Sequence, residues 1–72
     1  MDREKLRGAI YSKFKSASAC ASVMGWHKQK LSKVINGQYV PNVDEIKEIA
    51  KVCQMSNAEF DVVFLPFRSQ NL

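Results

Sequence analysis

The segment ACASVMGWHKQKLSKVINGQ, Ala19 to Gln38, decides how this chain folds. A lone glycine, Gly25, divides it into two helical patterns. Ahead of the glycine, Ala17, Cys20, Ala21 and Met24 recur at the spacing of one helix face. Behind it, Leu31, Val34 and Ile35 do the same, while Lys28, Gln29, Ser32, Lys33 and Asn36 share the other side. The segment holds Lys28, Lys30 and Lys33 and no acid. It therefore reads as two short helices, the second with one apolar side and one cationic side, hinged at a residue that adopts a left-handed backbone at little cost.

Outward from this segment the rest of the chain also reads as helices. Leu6, Ala9, Ile10 and Phe14 predict helix 1 from about Arg3 to Phe14, weakened slightly by Gly8. Ser16 is a good N-cap for helix 2. Helix 3 is expected from about His27 to Ile35, and NGQYVPN, closed by Pro41, reads as a turn. Asn42 with Glu45 three residues on predicts a capping box for helix 4, whose buried stripe is Ile46, Ile49, Ala50 and Cys53. Ser56 and Glu59 predict a second box for helix 5, with Phe60, Val63 and Phe64 as its apolar face and Pro66 as its stop. The expectation is an all-α fold with five short helices around one core.

Seventy-two residues allow one domain, expected over residues 1–67 and followed by a short polar tail at 68–72. A hydrophobic content of 46% suffices for a compact core and argues against a disordered chain. The charged start MDREKLRG is unlike a signal peptide, and the longest apolar run, VVFL, is far short of a membrane span. A soluble, cytoplasmic protein without a membrane partner is expected. Cys20 and Cys53 lie 33 positions apart, each on the apolar side of its helix, so buried reduced thiols are expected. With a single histidine, His27, the chain offers too few ligands for a zinc site; no metal and no cofactor is expected.

Charge is distributed unevenly. The formal net charge is +4, but no acid lies between Lys5 and Val43, an interval with seven lysines and arginines. From Asp44 onward there are three bases against five acids. A field of that kind attracts polyanions.

Two short helices joined by three or four residues around a glycine have the layout of a helix-turn-helix. Ala21 supplies the small residue where they cross, Gly25 the turn, and Leu31 and Val34 the apolar anchors of the second helix, with Met24 and Trp26 as bulk beside the turn. These residues resemble the helix-turn-helix of the phage Cro/repressor (XRE-type) family. VINGQYVPNVDEIKEIAKVCQMSNAEF is similar to that family's Asn-Gly turn, its proline before helix 4, its apolar-Ala pair (Ile49-Ala50) and its Ser-x-x-Glu opening of helix 5. The likeness covers about Leu6 to Phe64. It implies a compact five-helix domain of the lambda-repressor-like type, with a length nearer to a Cro-type or modulator protein of a temperate phage than to a two-domain repressor. The chain departs from the family at the start of helix 2, where Ala17, Ser18 and Ala19 replace the usual Gln and acidic residue. It also departs where relatives pair charges between helix 1 and the end of helix 3: Ile10 and Ile35 stand there, so an apolar contact is expected instead.

The resemblance implies a sequence-specific transcriptional regulator of a phage lysis/lysogeny switch, with helix 3 in the major groove of a double-stranded operator. The expected base contacts are then His27, Lys28, Gln29, Ser32 and Lys33. Gln29 suits adenine, and Lys28 and Lys33 suit guanine. The expected phosphate contacts are Lys13, Lys15, Ser16, Ser18, Lys30, Asn36, Gln38 and Tyr39. Asn36 has shaping of the turn as its other reading, and Tyr39 has packing on the domain. Phe64, Leu65 and Phe67 are candidates for a homodimer or partner interface, or for the lid of a small core. An anti-repressor or modulator that binds a phage repressor protein is the competing reading. Enzymatic activity is not expected, because there is no glycine-rich phosphate loop, no pair of acids in the basic half, and only one histidine, His27, in an expected surface turn.

Overall fold

The computed structural model describes residues 1–69, with side chains through Phe64. Among these residues there are five helices and no strand: α1 Arg3–Lys13, α2 Ala17–Met24, α3 Lys28–Ile35, α4 Val43–Val52 and α5 Asn57–Ser69. Four of them begin at a side-chain oxygen that accepts from an otherwise unpaired backbone N–H. Asp2 Oδ1 accepts from Lys5 N–H at 3.1 Å, Ser16 Oγ from Ala19 N–H at 3.1 Å, and Ser56 Oγ from Glu59 N–H at 3.0 Å. For α4 the capping box is complete in both directions: Asn42 Oδ1 accepts from Glu45 N–H at 2.8 Å and Glu45 Oε1 from Asn42 N–H at 2.9 Å. The start of α3 differs, since His27 at its N-cap makes no side-chain capping bond.

Helix 2 ends at Gly25, with φ 74° and ψ 21°. Trp26 N–H reaches back to the carbonyl of Ala21 at 2.8 Å, so the reversal leaves few orphan acceptors. The end of α4 makes the same kind of reversal without a glycine. Gln54 sits there at φ 54°, and Met55 N–H bonds the carbonyl of Ala50 at 3.0 Å.

The inward faces meet in one cluster. Leu6, Ile10, Cys20, Ala21, Leu31, Val34, Ile49 and Phe64 are fully buried there. Helix α2 packs on α3 and α4, and α1 packs on α2, α3 and α5. Among the described residues no polar or charged side chain is buried, so the core is held by apolar burial and dispersion. Its two thiols are free, and the Cys20 thiol lies 3.9 Å from the Met24 sulfur. Burial pushes the Cys53 thiol up to about 12, with the adjacent Cys20 adding to the rise.

Three expectations change at this level. Phe64 is not a partner-binding residue: it is fully buried in its own core, its ring centroid 4.9 Å from that of Phe60. The side chains of Leu65 and Phe67 lie outside the described residues. Pro66 does not stop α5, which continues to Ser69, within the stretch expected as a tail; a proline there removes one N–H bond to the carbonyl of residue 62, and the helix runs on without it. The tie between α1 and the end of α3 is polar as well as apolar. Ile10 and Ile35 are both buried in the core, while Arg3 Nη1 donates to the Asn36 carbonyl at 2.7 Å and Arg7 Nη2 to Asn36 Oδ1 at 3.4 Å. Among the described residues no helix is long and apolar enough to cross a membrane.

Candidate nucleic-acid interface

The cationic side of α3 is fixed by its apolar side. Leu31 and Val34 are fully buried, so residues on the opposite arc must face outward. Lys28, Gln29, Ser32 and Lys33 stand on that arc and are all exposed. They form one wall of a cleft of about 450 Å³. Ser16, Ala17 and Ser18, at the start of α2, form the facing wall, with Tyr11 of α1 and Gln38 of the following turn at the margins. Gly25 brings these walls together, because its left-handed backbone turns α3 back across α2.

No carboxylate lines the cleft, and Lys28 and Lys33 make no ion pair among the described residues. The cleft offers two uncompensated ammonium groups, two amide side chains and four hydroxyls. Ammonium, amide and hydroxyl groups of this kind are able to hydrogen-bond anions and the polar edges of ring systems.

Seven of the expected contacts are gathered here: Ser16, Ser18, Lys28, Gln29, Ser32, Lys33 and Gln38. The others are not. His27 is exposed at the N-cap of α3, outside the cleft lining. Lys13 and Lys15 are exposed and also outside it, and the charge of Lys13 acts on the Cys53 thiol at the far end of α4.

Lys30 and Tyr39, expected at phosphates, are instead drawn to α4. Lys30 Nζ lies 2.6 Å from a carboxylate oxygen of Glu45 and 4.2 Å above the ring centroid of Trp26. The hydroxyl of Tyr39 donates to the same carboxylate at 2.8 Å. One acid thus takes an ammonium, a phenol and the Asn42 backbone N–H. The bond from Lys30, then those from Asn42 and Tyr39, hold the Glu45 carboxyl at about 2. The bond with Glu45 raises Lys30, and Tyr39 is raised for the same reason. The cause is local: Glu45 is placed at the third position of α4 by the capping box, directly against the turn that carries Tyr39.

Asn36 is taken up by α1. Besides its bonds with Arg3 and Arg7, its Nδ2 donates to Ser32 Oγ at 3.4 Å. Its role at the turn is therefore structural, whatever else it touches.

A scan against protein-family models, a search of curated proteins and a search of solved structures found no match to this chain.

Tyr11, which lines the cleft, and Arg3 and Arg7, which bond Asn36, are not singled out by the sequence. Their four-residue spacing puts them on one ridge of α1, but nothing in that spacing says what the ridge faces.

Proposed function

We propose that this chain binds double-stranded DNA as a transcriptional regulator, with α2 and α3 acting as a helix-turn-helix of the lambda-repressor-like type and the outer side of α3 seated in the major groove. The observation that carries this reading is the acid-free cleft, where Lys28, Gln29, Ser32 and Lys33 face the start of α2. A major groove about 12 Å wide admits a helix and displays a distinct pattern for each base pair. In this reading Gln29 pairs in bidentate fashion with adenine, and Lys28 and Lys33 donate to guanine O6 and N7. Ser16, Ser18 and Gln38 hold the flanking phosphates and fix the register. One such helix reads only a few base pairs, so two copies on adjacent half-sites are the working form. The placement in a phage lysis/lysogeny switch rests on the resemblance of the sequence alone.

Selection of bound duplexes from a random library, followed by gel shifts over a salt series, tests the reading. It is supported by a recurring motif with half-sites about one helical turn apart. Sequence-blind binding in the micromolar range would instead leave only the general affinity of a basic surface, and an anti-repressor that acts on a repressor protein would then account for the chain better.

A further inference from the structure

Arg3, Arg7 and Tyr11 stand four residues apart on α1, and all three are exposed. They make one inclined ridge, and this ridge runs alongside α3 in the opposite direction. At one end, Arg3 and Arg7 are fastened to Asn36, the residue that closes α3. At the other, Tyr11 lines the cleft with Lys28, Gln29 and Ser32. A second cavity, of about 550 Å³, opens beside Asn36 and is lined by both arginines. Asp2 and Glu4 also line it, but Asp2 is the cap of α1, and neither arginine makes an ion pair among the described residues. Each guanidinium is held by one hydrogen bond to a neutral acceptor. It keeps its full charge and its further N–H donors.

We propose that this ridge is the second wall of the duplex-binding face, a step that rests on the DNA-binding reading above. Arg3 and Arg7 donate to phosphate oxygens past the C-terminal end of α3, and the Tyr11 hydroxyl donates to a phosphate beside the cleft. The eight residues of α3 span about 12 Å at the rise of an α-helix. A helix of that length in the groove is bordered by a sugar-phosphate strand, and a ridge parallel to the helix follows that strand. The bonds to Asn36 orient the guanidiniums before any ligand arrives, which lowers the ordering cost of binding. The phosphate-binding charge of the face is then supplied by Arg3 and Arg7 of α1 rather than by Lys30, whose ammonium belongs to Glu45.

The test is the salt dependence of binding to a labelled mixed-sequence duplex of about 20 base pairs, two helical turns. Arg3→Gln and Arg7→Gln should each lower the slope of log K against log salt by about 1, and the double variant by about 2. Tyr11→Phe should weaken binding about two- to tenfold with no change of slope, because it removes a neutral donor. The double variant Arg3→Lys/Arg7→Lys, which keeps the charge but loses the fork that grips Asn36, should keep the slope. Circular dichroism of each free variant checks that it is folded, and the single glutamine variants decide the matter should the glutamine pair unfold. If wild type binds and Lys28→Gln lowers its slope, but Arg3→Gln and Arg7→Gln leave the slope untouched, the ridge is not at the DNA and this inference falls while the DNA-binding reading stands. Loss of the slope in the lysine pair also overturns it. A wild-type chain that binds no duplex removes both.

Discussion

Lys30 and Lys28 are two residues apart on the same cationic helix, yet they should behave oppositely when replaced. Lys28 is exposed, lines the cleft and is unpaired among the described residues. Lys30 is paired with Glu45 at 2.6 Å and lies over Trp26. Each phosphate neutralised by a cation contributes about 0.9 to the slope of log K against log salt. Lys28→Gln should therefore lower the slope by about 0.9, whereas Lys30→Gln should leave it unchanged. Glu45→Gln carries the opposite sign. It keeps an acceptor for Asn42 N–H and for the Tyr39 hydroxyl but frees the Lys30 ammonium, so the slope should rise by up to about 0.9. Fluorescence of Trp26, the one tryptophan, should report the same event independently, because protonation of Glu45 removes the charge that holds the Lys30 ammonium beside its ring. The Glu45 carboxyl is held at about 2 against an ordinary 4.5. Its contribution to stability is therefore complete above about pH 4.5 and is lost as the pH falls toward about 2. The Trp26 signal of the folded chain should change as the pH reaches about 2 in wild type and not in Glu45→Gln. The measurements are fluorescence anisotropy of a labelled duplex over a salt series and an acid titration of the free chain. A slope that falls as far in Lys30→Gln as in Lys28→Gln would refute the reasoning, because Lys30 would then be a phosphate ligand after all.

Three other expectations can be checked with the same protein. Gln29→Ala should cost about 1–3 kcal/mol on a selected site and blunt the preference at one base position, while leaving mixed-sequence binding nearly unchanged; equal losses on every duplex would take Gln29 out of base recognition. Two of the three left-handed positions, Gln54 and Gly25, should respond in opposite senses in thermal melts. Gln54→Gly relieves a non-glycine φ of 54° and should raise the melting temperature, by an amount corresponding to about 0.5–1 kcal/mol. Gly25→Ala meets no atom within 4 Å but is strained at φ 74°, and it should lower stability by about 1 kcal/mol. Cys53, whose thiol is pushed up to about 12 by burial, should resist a thiol reagent in the native chain at pH 8 and react on unfolding. Its raised value means that its contribution is present below the ordinary thiol value of 9 and is lost as pH climbs toward about 12, which a high-pH unfolding series would show.

The parts of the fold that could be read in the sequence are those set by local chemistry. Ser16, Asn42 with Glu45, and Ser56 each act on a backbone N–H three residues away, so a short window of sequence contains the whole interaction. Gly25 is similar, since the left-handed requirement is met within one residue. The outer arc of α3 followed from the burial of Leu31 and Val34 and the helical period. What was hidden depends on contacts distant along the chain. The bonds of Arg3 and Arg7 to Asn36 span 33 and 29 positions, and no periodicity in α1 announces them. Lys30 looked like one more cation of a basic helix because its neutralising partner lies across the turn, on the next helix. Phe64 was ambiguous for a related reason: an apolar residue at a helical spacing fits a core and an interface equally, and only the packing of α5 on α1 separates the two.

The central claim is that the outer side of α3 is the surface that meets the duplex. Chemical-shift mapping of the labelled chain, titrated with its selected DNA at near-physiological salt, tests that claim most directly. The largest shifts are expected at Lys28, Gln29, Ser32 and Lys33, with Ser16 and Ser18 following, and little change at Val62 on α5. Shifts confined to α4 and α5, with the amides of α3 unmoved at saturating DNA, would contradict it.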